Sequence, residues 1–172
     1  MLLFLIGLPG SGKTTLGKEL ATLLGIHFLD LDHEIVSRYK LSIEDIFKKK
    51  GESAFREMER DTLRSLSLDA SIIVATGGGA ACFHNNMEWM NTHGTTLYIN
   101  PPIEELSSRL ALSKSSHRPM LKGFSKEDML KFLEQKKADR ELYYLQAKLK
   151  MPSASPKVGD LKKLLESEGI NL

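Results

Sequence analysis

Gly7-Leu8-Pro9-Gly10-Ser11-Gly12-Lys13-Thr14 narrows the choice of fold more than any other part of the chain. It fills every required position of the Gly-x-x-x-x-Gly-Lys-Ser/Thr pattern, the Walker A loop. The flanks agree with it. Leu2–Ile6 is a short, continuous apolar run, as a buried parallel strand requires. Lys13–Leu24 reads as a helix, and Gly25 stands where its C-cap belongs. Strand, glycine loop and helix in this register turn backbone N–H groups inward around an anion, and the helix N-terminus adds partial positive charge. Gly10, Ser11, Gly12, Lys13, Thr14 and Thr15 are therefore the expected contacts of a nucleotide phosphate chain. Lys13 is expected to reach the β- and γ-phosphates, and the Thr14 hydroxyl to ligate Mg²⁺. The alternative is an ordinary glycine turn with a solvated lysine, and the matching flanks weigh against it.

Beyond this loop, strands and helices alternate. Short strands are expected at residues 27–30, 71–75, 96–99 and 148–151. Helices are expected at 33–39, 42–50, 52–67, 85–92, 103–112, 125–145 and 159–167. Ser42 with Asp45 three residues on resembles an N-cap pair. Residues 113–124 are polar, contain Pro119 and Gly123, and read as a mobile lid. Alternation of this kind implies right-handed crossovers and a parallel sheet covered on both faces. The expected class is α/β: a P-loop NTPase-like three-layer sandwich whose central, mainly five-stranded parallel sheet is flanked by helices.

Composition removes several other classes. Apolar residues make up 41% and charged residues 27%, so disorder is not favoured. A net charge of +2 argues against a dedicated nucleic-acid binder. No stretch approaches the ~18 apolar residues of a membrane span, and the apolar start at residues 1–6 is too short for a signal peptide. The single cysteine, Cys82, cannot close an internal disulfide and suits a reducing cytosol. A cytoplasmic monomer with small-molecule partners, and with no nucleic-acid or membrane partner, is expected. His27, His33, His84, His93 and His117 lack metal-ligand spacing with the cysteine.

The glycine loop leaves the reaction open among GTPases, ATPases and kinases. An Asn-Lys-x-Asp guanine signature is missing from the sequence. Asp30 and Asp32 lie just past the second strand, on the edge where α/β sheets bind ligands. One carboxylate there can support Mg²⁺ through water while the other takes a hydroxyl proton. A helix N-cap followed by a solvated acid is the alternative. The strand ending at Ala75 carries no carboxylate, only Thr76 and Gly77-Gly78-Gly79. Asp30 is thus the nearest candidate for outer support of the metal.

Several further segments complete a pattern. Phe28-x-Asp30-x-Asp32, Ser42-Ile43-x-x-Ile46-Phe47 and Gly51-Glu52-x-x-Phe55-Arg56-x-x-Glu59 come first. Gly77-Gly78-Gly79, Arg118-Pro119 and Arg140-x-x-x-Tyr144-x-x-Ala147 follow. In this order, with the phosphate loop, they resemble the shikimate kinases over Gly7 to Ala147. The resemblance implies ATP-dependent phosphorylation of shikimate at its 3-hydroxyl, with Mg²⁺, giving shikimate 3-phosphate and ADP on the route to aromatic amino acids. It implies that Asp32 contacts the ring hydroxyls and acts as base, and that Arg56 and Arg140 bind the shikimate carboxylate. It also implies that Gly78 and Gly79 bring backbone N–H groups to the acceptor, that Arg118 closes over the transferring phosphate, and that Asp30 supports Mg²⁺. Lys13, Asp32 and Arg118 would be the catalytic set. Residues 1–172 would form one kinase domain, with the phosphate loop at 7–14, an acceptor-binding helical segment at about 31–62 and the lid at about 113–124.

The residue types suit these roles on chemical grounds. Guanidinium forks match planar carboxylates, and glycine admits a ligand close to the backbone. Arg56 has a competing assignment, since Glu52 and Glu59 lie within helical pairing distance of it. The chain departs from the family pattern at Leu142, where proline is common, and in a polar, proline-bearing tail after Ala147. Arg109 is a candidate for the adenine or simply an exposed helix arginine. A gluconate-type kinase and a non-catalytic nucleotide-binding module remain the competing functions.

Overall fold

The computed structural model describes residues 1–112, 124–153 and 155–170. The chain runs β1 (Leu2–Ile6), α1 (Lys13–Leu24), β2 (His27–Asp30), α2 (Leu31–Tyr39), α3 (Ile43–Arg64) and β3 (Ile72–Ala75). A 3-10 turn at Ala80–Cys82 leads to α4 (Asn86–His93), β4 (Gly94–Ile99), α5 (Ile103–Leu112), α6 (Lys126–Tyr144), β5 (Leu149–Met151) and α7 (Val158–Ser167). The five strands form one sheet in the order β2-β3-β1-β4-β5, and every pairing is parallel. This is the α/β class that the alternation of elements implied.

The reason lies in β1. All five of its side chains are fully buried, so the sheet must be covered on both faces. Leu3 and Leu5 pack with Leu16, Leu20 and Ala21 of α1 and with Leu161 and Leu165 of α7. Leu2, Phe4 and Ile6 face the opposite layer, built from α2 to α6 through Leu31, Ile35, Phe55, Leu63, Met87, Leu106, Leu133 and Tyr144. Full burial of a side chain of this size is worth roughly 1.5–3 kcal/mol. Adjacent β1 and β3 send their following connections to opposite faces. That divergence opens a crevice at the carboxyl edge of the sheet, and it sits between the phosphate loop and the triple glycine.

Local signals were largely obeyed. Ser42 Oγ accepts from the Asp45 N–H at 3.0 Å, and Ser125 and Asp128 form a capping box on α6. The two helices expected on either side of Gly51 are one helix, α3, kinked there, where Gly51 has φ 81° and ψ 175°. α2 begins at Leu31, two residues earlier than expected, because Asp30 caps it. β4 begins at Gly94, and the 3-10 turn after the triple glycine was not anticipated. The polar tail does supply a fifth strand, with Leu149 and Met151 registered on Leu97 and Ile99. The expected lid at 113–124, with Arg118, lies outside the described residues except for Phe124. Among the described residues, no helix is long and apolar enough to cross a membrane.

Candidate active site

The phosphate loop leaves β1 through backbone that only glycine tolerates. Gly7 has φ +142°, and a Cβ there would lie 2.5 Å from the Ile99 carbonyl oxygen. Gly10 and Gly12 also have positive φ, so the loop curls over the start of α1. Lys13 folds back across it. Its Nζ donates to the carbonyls of Gly7 and Leu8, each at 2.9 Å, and to Ser11 Oγ at 3.3 Å. The side chain is buried, not solvated, and the ammonium is held over the loop mouth.

One turn of chemistry away, Thr14 Oγ1 donates to Asp30 Oδ2 at 2.9 Å. The other Asp30 oxygen accepts from the His33 N–H at 3.3 Å. Asp30 is therefore both the N-cap of α2 and the partner of the loop threonine, so capping does not take its carboxylate away from the phosphate loop. Asp32 is on the first turn of α2 and is exposed. On the other side of the loop, Gly10, Gly12, Thr15, Arg109 and Pro156 line a cleft. Arg109 donates to Glu105 at 2.9 Å while one guanidinium nitrogen reaches within 3.7 Å of where a Gly12 Cβ would be. The proline-bearing tail thus returns to the phosphate loop through Pro156.

The residues expected to bind the acceptor gather around the triple glycine. A Cβ on Gly77 would lie 2.9 Å from Asp32 Oδ1 and 2.8 Å from Glu59 Oε1. A Cβ on Gly78 would lie 3.2 Å from Arg140 Nη1 and 3.1 Å from Pro9. A Cβ on Gly79 would meet the Arg56 guanidinium at 2.7 Å. A side chain at Gly77 or Gly79 would displace the groups expected to hold the acceptor, and one at Gly78 would press on Arg140 and Pro9. Sequence reasoning placed Asp32, Arg56, Gly78, Gly79 and Arg140 together, and the fold brings all five to one loop, with Pro9 of the phosphate loop against it.

Arg56 also makes the pairs that competed with a site role. Nη1 donates to Glu59 Oε2 at 2.8 Å, and Nη2 donates to Glu52 Oε1 at 3.0 Å. Its guanidinium stacks 4.4 Å from the centre of the Phe83 ring and 5.0 Å from that of Phe55. Arg56 is thus pinned by two carboxylates and two aromatic faces while still facing Gly79. Half-buried Cys82 nearby has its thiol pushed up to about 11 by burial. It is protonated at neutral pH, in keeping with a packed rather than nucleophilic residue.

The comparisons with known proteins agree with this geometry. The family model described as shikimate kinase matches residues 9–166. The shikimate kinase of Parabacteroides distasonis is 46% identical over 146 residues, covering 85% of this chain and 84% of that protein. The chain belongs to the shikimate kinase family. A crystal structure of the shikimate kinase from Bacteroides thetaiotaomicron superposes with a TM-score of 0.92 at 34% identity, covering 98% of each chain. The shikimate kinase from Acinetobacter baumannii, solved in complex with shikimate, gives a TM-score of 0.85 at 33% identity, covering 99% of this chain and 94% of that one. Membership selects the family that the motif order resembled over a gluconate-type kinase.

In this shikimate kinase family member, one carboxylate beside the triple glycine entered the sequence reading only as a pattern residue and a helix partner of Arg56. Glu59 is fully buried, and its Oε1 has no hydrogen-bond partner among the described residues. The available signal was its spacing: a charge three residues from Arg56, on the helix face that also carries Phe55, Thr62 and Leu63. Burial pushes the Glu59 carboxyl up to about 7, against the pull of the Arg56 guanidinium. The folded chain therefore holds this proton more tightly than the unfolded one, where the group titrates near 4.5. Stability from this residue falls as pH rises from about 4.5 towards 7 and stays low above that. Glu59→Gln removes that fall, so urea midpoints at about pH 5 and pH 7.5 lie closer together than in wild type. Equal pH slopes in both proteins would mean that Glu59 is ionised throughout.

Proposed function

We propose that this kinase transfers the γ-phosphoryl group of ATP to the 3-hydroxyl of shikimate, with residues 1–172 working as one domain in a monomer. The observation that carries it is the convergence of Asp32, Arg56 and Arg140 on Gly77 to Gly79, with Pro9 of the phosphate loop beside Gly78. A carboxylate base, two guanidinium forks and the phosphate cradle thus share one crevice.

Asp32 accepts the proton of the acceptor hydroxyl as the new O–P bond forms, and the O–P bond to ADP breaks. Arg56 has three of its five N–H groups engaged by Glu52 and Glu59. The others are available to the acceptor carboxylate, joined by Arg140 from α6. Gly78 and Gly79 give backbone N–H groups to the acceptor. Lys13 offsets the negative charge of the β- and γ-phosphates. Arg118, in the proposed lid at about 113–124, adds charge to the transferring group.

Thr14 and Asp30 are hard oxygen donors 2.9 Å apart, the kind Mg²⁺ takes alongside phosphate oxygens and water, so the donor set fits that ion. Thr14 would ligate it directly and Asp30 through water. When bound it would offset the negative charge developing on the transferring phosphate. The cleft of Thr15, Arg109 and Pro156 would take the adenine. A cytoplasmic location is part of this reading, resting on a lone Cys82 that cannot close an internal disulfide.

ADP release with ATP, Mg²⁺ and a panel of hydroxy acids tests the reading. Shikimate supports turnover and gluconate does not. Arg56→Lys and Arg140→Lys keep the charge but lose the fork, and each weakens shikimate binding by roughly 1.5–3 kcal/mol with ATP affinity held. A panel in which shikimate is idle, or variants that lose ATP affinity equally, would overturn it.

A further inference from the structure

Tyr144 lies four residues after Arg140 on α6, so both point to the same side of that helix. Its ring is fully buried and packs on Tyr98 of β4, with centroids 5.0 Å apart. Its hydroxyl donates to the carbonyl of Gly78, 66 residues away in the chain. Tyr98 offers a contrast, because its hydroxyl has no hydrogen-bond partner among the described residues. The two phenols share a stack, and only one of them grips the glycine loop.

Peptide planarity turns this contact into an orientation. In a trans peptide the C=O of one residue and the N–H of the next point in opposite directions. The Gly78 carbonyl is drawn into the core by Tyr144, so the Gly79 N–H must point away from the core. Gly79 itself borders the Arg56 guanidinium, which stands within 2.7 Å of its Cβ position. No described residue accepts a hydrogen bond from the Gly79 N–H, although the residue is buried. Buried backbone donors are rarely left without a partner, and this one is available to a ligand. Arg140 Nη1 stands 3.2 Å from a Gly78 Cβ position, so the peptide held by Tyr144 lies beside a second group expected at the acceptor.

We propose that Tyr144 is a positioning residue for the acceptor, fixing the Gly78–Gly79 peptide so that the Gly79 N–H faces the bound hydroxy acid. The proposal rests on the reading of the triple glycine as the acceptor loop. A phenol serves here because it is long enough to cross from α6 to the loop and apolar enough to be packed in the core. Phenylalanine would pack equally but leave the peptide free to rotate.

Steady-state kinetics of wild type, Tyr144→Phe and Tyr98→Phe test it, with shikimate varied at saturating ATP and Mg²⁺, and ATP varied at saturating shikimate. Tyr144→Phe raises the shikimate KM roughly 5–20-fold, the scale of one hydrogen bond. Its ATP KM stays within about twofold, and its kcat falls less than its KM rises. Tyr98→Phe, which removes a hydroxyl from the same stack, leaves both constants near wild type. A residue that only supports the core would lower stability without this split between acceptor and nucleotide. No turnover of shikimate by wild type overturns the acceptor reading and this proposal together. Turnover by wild type with an unchanged shikimate KM in Tyr144→Phe overturns this proposal alone. Should Tyr144→Phe not fold, ¹⁵N-glycine-labelled wild type decides. A Gly79 amide resonance that shikimate shifts and ATP does not supports the proposal, and one that shikimate leaves in place overturns it.

Discussion

Lys13→Met lowers ATP-dependent turnover by at least ~10²–10³-fold, the scale of removing one preorganised donor to developing charge. Methionine is the better substitution because the lysine stem is buried and its ammonium ties Gly7, Leu8 and Ser11 together. Alanine would remove packing and charge at once and confuse a local collapse with a loss of catalysis. Methionine keeps most of the stem and removes the donors. The loop should lose some order, so a modest fall in Tm is expected beside the kinetic defect. The two are separated by circular dichroism and by the burial pattern around α1, which does not depend on the ammonium. Activity within a few-fold of wild type would remove Lys13 from the phosphate site and with it the assignment of the loop.

Asp32→Asn lowers kcat by ~10²–10⁴-fold, the usual contribution of a general base, while ATP binding is kept. Asparagine preserves the shape and one acceptor oxygen beside Gly77 but cannot hold the proton. Asp30→Asn is the informative contrast. Asparagine is as good an N-cap as aspartate, so α2 should remain anchored at His33 even though the charge facing Thr14 is gone. Its defect should therefore appear in the Mg²⁺ dependence and recede at high Mg²⁺. Measuring kcat across a Mg²⁺ series for both variants separates them. A near-normal kcat in Asp32→Asn, with a Mg²⁺-independent loss in Asp30→Asn, would reverse the two roles.

How much of this was legible depended on how far apart the interacting residues are in the chain. The β1 run, the loop glycines and the helix after them are local, and each pattern has one physical solution. Gly51 was visible as a break for the same reason, and the structure keeps it as a kink inside α3. Gly94 lies outside the strand expected at 96–99, yet it pairs with Leu2 in the sheet register. Sheet membership there is decided by β1, which lies more than 90 residues earlier. The dual engagement of Asp30 combines a local cap with a contact 16 residues back, so sequence offered its two halves as rivals. The helix pairing of Arg56 was legible only as a choice between Glu52 and Glu59, because nothing in the spacing reveals that both carboxylates and two aromatic rings close on it at once. Tyr144 was visible only as part of a recurring pattern, since its partner is a backbone atom that no side-chain pattern can mark. Arg118 rests on the family pattern alone.

The pairing of β1 with β3 has a consequence for how such a protein can change. Leu5 is registered on Ala75, and the two loops leave the sheet side by side from these strands. Neighbouring parallel strands are held about 4.8 Å apart by their ladder, a spacing no substitution in the loops can stretch. The gap between phosphate donor and acceptor is thus a fixed dimension of the scaffold. Divergence towards a larger or differently shaped acid would have to come from the walls contributed by α2, α3 and α6. Those helices can slide or exchange side chains without disturbing the ladder, so specificity and transfer distance are under separate control.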